Sequence, residues 1–219
     1  MLLDLWPVMR ADAELRLNTI GPPDPGVKPD PDTWIANLGS LPLLAQPGER
    51  WLYNTGAVVL GVLVARAAGV PFAEVLRTHV REPLGMRDTT FWTADTARLA
   101  TAYRPTPDGL VVCDEPDEAW SRPPAFEDGG AGLLSTADDL LAFARMLLAG
   151  GEGVLSRELV DAMTSDQMTP AQKARGGLGP DFFKRRSCGF CQAVHEGRAF
   201  AWDGGFGSSW LVDRPTISS

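Results

Sequence analysis

Cysteine is scarce in this chain. There are three in 219 residues, an odd number in a chain long enough to build a core without staples, so no disulfide framework is expected. Histidine is scarcer still: His79 and His195 are the only two, and they stand far apart. Neither is near a G-x-S-x-G, which the sequence lacks, so a surface role is expected for both rather than a Ser-His-Asp triad. Positive charge is short as well: 20 Lys and Arg against 28 Asp and Glu give a formal charge of −8. The one basic cluster, Lys184-Arg185-Arg186, is too short for a nucleic-acid footprint, so no nucleic-acid partner is expected. Long apolar runs are missing too. The longest, Ala57 to Ala65, stops at Arg66 and is less than half a membrane span. The first residues, MLLDLWPVMR, carry Asp4 inside their apolar stretch and no basic leader or cleavage site. No secretory signal and no membrane association are expected, and the cytoplasm is the default compartment. No G-x-G-x-x-G follows a strand and no Walker loop exists, so no nucleotide or other cofactor is expected.

Glycine and proline are abundant: 23 Gly and 18 Pro in 219 residues, against a joint average of roughly 12%. The excess means many turns and long connections. Apolar residues at 44% and charged residues at 22% are globular values. Cys188 and Cys191 form a C-x-x-C, as a redox pair or half a zinc site would. No second C-x-x-C or H-x-H completes a tetrahedron, so no metal is expected. The flanking residues, Gly189 to Val194, read as a strand, on which positions three apart face opposite ways.

Helical spacing runs from Leu2 to Leu17, interrupted by Pro7. A stiff Pro-rich connection follows over Gly21 to Asp32. Asp32 is expected to cap a short helix through Trp34, Ile35 and Leu38, ended by Gly39. Ala57 to Ala68 reads as a buried helix with Val58, Val59, Leu60, Leu63 and Val64 inside and Gly69 as its stop. Pro71 opens a helix over Phe72 to Val80, and residues 82–86 form a turn. Residues 91–126 read as loop and short strands. Ser135 to Asp139 starts a helix that reaches Gly150, Ser156 caps another, and Thr169-Pro170 opens a third. Residues 189–194 and 199–202 read as strands joined near Glu196-Gly197, and 210–212 as one more. Helices first and strands last imply an α+β fold with an antiparallel sheet. No internal repeat is visible.

Two elements invite chemistry. Residues 47–56, Pro-Gly-Glu-Arg-Trp-Leu-Tyr-Asn-Thr-Gly, lead straight into the buried helix and can place the Tyr53 phenol in a cleft. A capping turn by Asn54 or Thr55, with Tyr53 merely packed, accounts for the same residues. Residues 202–209, Trp-Asp-Gly-Gly-Phe-Gly-Ser-Ser, allow close backbone approach, and exposed N–H groups there can hold an oxyanion. A tight bend in a sheet explains them equally.

Pro47 to Gly69 resembles the tyrosine-motif segment of the serine β-lactamase-like family, which includes class C β-lactamases, D-alanyl-D-alanine carboxypeptidases and related esterases. Further pieces match in order: Glu82-Pro83-Leu84-Gly85-Met86-Arg87-Asp88-Thr89, then Gly129 to Leu140, then Ala201 to Asp213. The resemblance covers about Thr33 to Asp213. It implies acylation of a serine in an S-x-x-K motif, with lysine and tyrosine moving the proton and backbone N–H groups holding the oxyanion. It assigns Tyr53 as the catalytic tyrosine and Asn54, Thr55, Trp202, Asp203, Gly204 and Gly205 to the substrate side, Gly205 offering an oxyanion N–H. The spacing after Tyr53 is one residue shorter than Y-x-N, so either Asn54 or Thr55 faces substrate. Trp202-Asp203-Gly204 stands where β-lactamases carry K-T-G. Tryptophan removes the cation that would hold a substrate carboxylate, which resembles the esterase branch.

The three lysines, Lys28, Lys173 and Lys184, follow Pro25, Pro170 and Asp181 at the serine position, so these 219 residues contain no S-x-x-K. The expectation is an incomplete β-lactamase-like domain over residues 32–213. It is preceded by a helix and Pro-rich connection over 1–31 and followed by a non-matching tail over 214–219. The expected substrate is a small ester or amide. A non-catalytic descendant that binds a ligand or partner is the alternative, and open sheet edges would favour self-association.

Overall fold

A computed structural model describes residues 6–19, 23–177, 181–195 and 199–214, with side chains from Arg10 onward. By contacts the chain divides into two compact units. The first takes residues 1–42, 58–75 and 88–136, and the second takes 43–57, 76–87 and 137–219.

In the first unit lie helix α1 (Trp6–Glu14) and α2 (Pro31–Gly39). The expected start of α1 at Leu2 lies outside the described residues. The cap of α2 is Asp30, not Asp32: its carboxylate accepts from the Asp32 and Thr33 amides, and Pro31 fills the first helical position. Helix α3 (Thr55–Ala68) starts in the second unit and continues in the first. Its buried residues are Val58, Gly61 and Val62, whereas Leu60 and Leu63 are 48% and 59% exposed. The inward side of α3 therefore differs from the predicted one. On that side Gly61 packs close to the Gly129 backbone, which a Cβ there would meet at 3.0 Å. Leu17, Trp34, Val58, Val62 and Phe126 form the core of this unit. The Trp34 indole N–H donates to Leu17 O at 2.9 Å. The Lys28 ammonium pairs with Asp128 in the interior. The hairpin β1 (Ala102–Thr106) and β2 (Gly109–Asp114) is antiparallel and largely exposed. A cavity of about 610 Å³ opens among Pro25, Pro29, Pro123 and Pro124; none of the predicted site residues lines it.

Helix α4 (Phe72–Leu76) does not end at Val80. It runs on through a π-helical Arg77–Arg81 into α5 (Glu82–Leu84), so residues 82–84, expected as a turn, are helical. Gly85 in the left-handed region closes it.

In the second unit, α6 (Ala137–Leu148), α7 (Arg157–Met163) and α8 (Pro170–Arg175) follow the expected starts. The Ser156 hydroxyl accepts from the Leu159 amide, and Thr169 and Gln172 make a reciprocal capping box. The strands are β3 (Arg186–Cys188), β4 (Ala193–His195), β5 (Phe200–Asp203) and β6 (Ser209–Val212), antiparallel in sequential order. Residues 189–192, expected inside a strand, are instead the β3–β4 turn. The Gly189 amide donates to Gln192 O, and Phe190 N–H and the Gln192 side-chain Nε2 both donate to Met163 O. Those bonds hold the turn to the end of α7. Cys188 thus ends a strand while Cys191 sits in the turn at φ 58°, and both thiols are free. The predicted connection at Glu196-Gly197 lies outside the described residues. Ala144, Met146 and Leu147 of α6, Val160 of α7, Phe200 of β5 and Val212 of β6 form the core. Among the described residues no single helix is long and apolar enough to cross a membrane.

Candidate active site in the second unit

All seven predicted site residues belong to the second unit. The chain enters the site through a turn at Gln46–Glu49. Proline second and glycine third suit a turn whose third residue needs positive φ. Gly48 adopts φ 80°, and the Glu49 amide donates to Gln46 O at 3.0 Å. The Gln172 side chain of α8 donates to Gly48 O at 2.8 Å, tying this turn to a helix more than a hundred residues later. Trp51 lies against the end of α8 as well: a Cβ on Gly176 would come to 3.0 Å from Trp51 Cβ and O, so a larger residue there would push on Trp51.

Past Tyr53 the backbone tightens. Asn54 takes φ 74°, the Thr55 amide donates to Tyr53 O at 3.0 Å, and the Ala57 amide donates to Asn54 O at 3.0 Å as α3 begins. Asn is among the few residues that tolerate the left-handed region. The conformation turns the chain sharply at the point where the helix starts, and Tyr53 remains 43% exposed.

From the other direction, β5 ends on Trp202 and Asp203. Trp202 pairs with Trp210 and Asp203 with Ser209 across β5–β6. The Ser209 hydroxyl donates to Asp203 Oδ1 at 2.8 Å. Gly204 N–H donates to Ser208 O at 2.7 Å, so that amide is spent inside the turn rather than offered to a ligand. Gly205 follows it in the exposed connection to β6. The rings join the two segments: Tyr53 stacks on Trp202 with centroids 5.6 Å apart and planes 26° apart. That contact spans about 150 residues of sequence. Asn54, Thr55 and Gly204–Gly205 flank the two rings along the chain.

With these motifs in one unit, the comparison with known proteins is decisive: the profile described as Beta-lactamase matches residues 8–216. The chain belongs to the beta-lactamase family. Its resemblance to Protein Rv1367c of Mycobacterium tuberculosis is 38% identity over 202 residues, 84% of this chain and 50% of that protein. Esterase EstB of Burkholderia gladioli is 33% identical over 213 residues, 84% of this chain and 52% of that protein. The chain spans about half the length of these curated relatives. Among solved structures, EstCE1, a hydrolase with promiscuous acyltransferase activity, superposes with a TM-score of 0.74 at 26% identity. The match covers 90% of this chain and 57% of that one. The LovD6 mutant of simvastatin synthase from Aspergillus terreus superposes at 0.64 with 24% identity over 94% of this chain and 57% of that one, which shows the fold alone. The α+β reading, helices with an antiparallel sheet, is the part of the beta-lactamase fold seen here.

The sequence reading missed four residues of this neighbourhood. Trp51 stacks on Tyr53 at 5.9 Å and on Phe182 at 5.1 Å. Phe183 meets Trp51 and Phe182 edge-on. The Arg186 guanidinium lies 5.1 Å from the Phe182 ring centre. The spacing of Trp51 and Tyr53, two apart, was the signal that they share a side of the segment. In the same unit Asp166 accepts from Lys173 and from the buried Ser187 hydroxyl. Burial raises the Asp166 carboxyl and these bonds more than offset it, leaving it below its ordinary value. Burial pushes the Cys188 thiol up to about 11.

Proposed function

We propose that this chain is the tyrosine-motif and third-motif part of a beta-lactamase family serine hydrolase that cleaves esters. The stacking of Tyr53 on Trp202 carries the reading, because it joins the two motifs at one place. In the proposed reaction a serine oxygen attacks the ester carbonyl. Its proton passes through Tyr53 and a lysine to the departing alcohol oxygen, and the serine keeps the acyl group. Water then attacks the acyl carbon, returns a proton by the same groups and restores the serine. The serine and lysine of S-x-x-K come from a segment beyond these 219 residues. Tyr53 supplies the proton-carrying phenol, Asn54 or Thr55 a polar contact to substrate, Trp202 an apolar wall beside the carbonyl, and Gly205 N–H a donor to the oxyanion. Gly204 takes no part as a donor, since its amide is committed.

Two relatives support ester over amide substrates: EstB by its name, and the Lovastatin esterase of Penicillium rubens, 26% identical over 208 residues. Trp202 at the third motif supports it too, since it offers no cation for the carboxylate that carboxypeptidase substrates carry. The test is hydrolysis of an activated ester and labelling by a fluorophosphonate. The chain alone is expected to show neither an acyl-enzyme nor a burst, because a catalytic unit without its nucleophile loses on the order of a million-fold in turnover. Adding a family segment with S-x-x-K, in cis or in trans, is expected to restore hydrolysis that Tyr53→Phe then abolishes. Restored hydrolysis indifferent to Tyr53→Phe would sink the assignment.

A further inference from the structure

We infer that the row of rings from Trp202 through Tyr53 and Trp51 to Phe182, ending at Arg186, is the subsite for the body of the substrate, and that this body is a flat aromatic or fused-ring group ending in an anion; the inference rests on the ester-hydrolase reading. Successive ring centres are 5.6, 5.9 and 5.1 Å apart, with Phe183 edge-on beside the last two rings. A cluster serving only as core would be buried, as Phe200 is in the same unit. Here Tyr53 is exposed and Trp51, Phe182, Phe183 and Trp202 are half-buried, so part of the row stays in solvent. Tyr53 belongs both to the row and to the proposed chemistry. A ligand running from Tyr53 toward Phe182 therefore has its reacting carbonyl at the Tyr53 end.

Charge gives the row a direction. At the Trp202 end stands the exposed carboxylate of Asp203. At the Phe182 end stands Arg186, its guanidinium over the ring. Lys184 is paired with Asp181 and Lys173 with Asp166, so Arg186 is the cation that faces the ring. On a chain of net charge −8 this basic spot is local, and an anion is guided there and repelled elsewhere. The anion sits two ring steps from Tyr53, not beside the carbonyl, which agrees with tryptophan rather than lysine at the third motif. Flat rings gain edge and face contacts that a flexible aliphatic chain does not.

The experiment uses calorimetric titration of the purified chain with three probes: monomethyl naphthalene-2,6-dicarboxylate, its dimethyl ester and monomethyl adipate. The planar monoanion is expected to bind tightest. Phe182→Leu is expected to weaken it about 5-fold while leaving the adipate unchanged, as the loss of one aromatic contact implies. Arg186→Gln is expected to erase an advantage of about 3-fold over the dimethyl ester. Each variant is checked by thermal unfolding; should Phe182→Leu fail to fold, the Arg186→Gln arm and the wild-type ranking still decide. Equal binding of all three probes, no saturable binding, or variant curves that superpose on wild type would overturn the inference. The complementation assay separates the two readings. Ring-selective binding without restored hydrolysis removes the hydrolase reading and leaves a ligand site. Restored hydrolysis with no ring preference removes this inference alone.

Discussion

Trp34 and Trp51 are the same residue put to opposite uses. In the first unit Trp34 is fully buried, tilts on Phe126 at 5.3 Å and gives its N–H to Leu17 O. In the second unit Trp51 keeps part of its ring in solvent and stacks on Tyr53 and Phe182. A buried indole with its one donor satisfied stabilises the fold. A half-exposed stack recovers only part of its hydrophobic gain and leaves ring surface for a ligand. The ion pairs divide in the same way: Lys28–Asp128 is interior, while Lys173–Asp166 is open to water.

The comparison breaks most directly at its buried member. Trp34→Ala is expected to cost about 3–5 kcal/mol of stability through lost burial and a cavity. Removing the charge in Asp128→Ala, which strands the Lys28 ammonium, is expected to cost about 3–5 kcal/mol at most. The double variant Lys28→Met/Asp128→Leu should recover most of that loss. Trp51→Ala is expected to cost less, about 1 kcal/mol, in line with a partly exposed aromatic pair. Urea unfolding of the four proteins checks the order, and a Trp51→Ala loss equal to that of Trp34→Ala would erase the distinction.

A smaller effect sharpens it on the acid side. The Asp166 carboxyl is lowered from 3.8, so its contribution is full above that unfolded value and is lost as pH falls through the lower folded one. Asp166→Asn should therefore flatten the acid limb of the stability profile below about pH 4 and leave it unchanged in shape above. An unaltered limb would mean that the Lys173 and Ser187 contacts contribute nothing. The smallest effect is chemical. With the Cys188 thiol at about 11, maleimide labelling at pH 8 should reach exposed Cys113 first and Cys188 only on unfolding.

Legibility followed the range of the interaction. The caps at Ser156 and Thr169 were readable because each bond joins residues three apart. Asp32 was mistaken for the cap of α2 because Asp30 and Asp32 carry the same carboxylate, and only the backbone decides which one precedes the helix. Leu60 and Leu63 look like core in an apolar run, yet a run with no polar side cannot declare which way it faces. The β3–β4 turn was read as strand because Phe190, Ala193 and Val194 make the segment look apolar and extended. Bonds to Met163 O, at the end of a helix about thirty residues earlier, bend it.

Sequence by itself determined the family motifs around Tyr53 and Trp202, the helix starts and the α+β order. These are properties of neighbouring residues: which side chain caps, which glycine turns, which segment alternates. Tertiary structure alone decided that Tyr53 stacks on Trp202 and that Trp51, Phe182 and Arg186 extend the same row. Stacking and side-chain exposure depend on which surfaces meet after the chain has folded back on itself, and residues more than a hundred positions apart carry no local mark of that meeting.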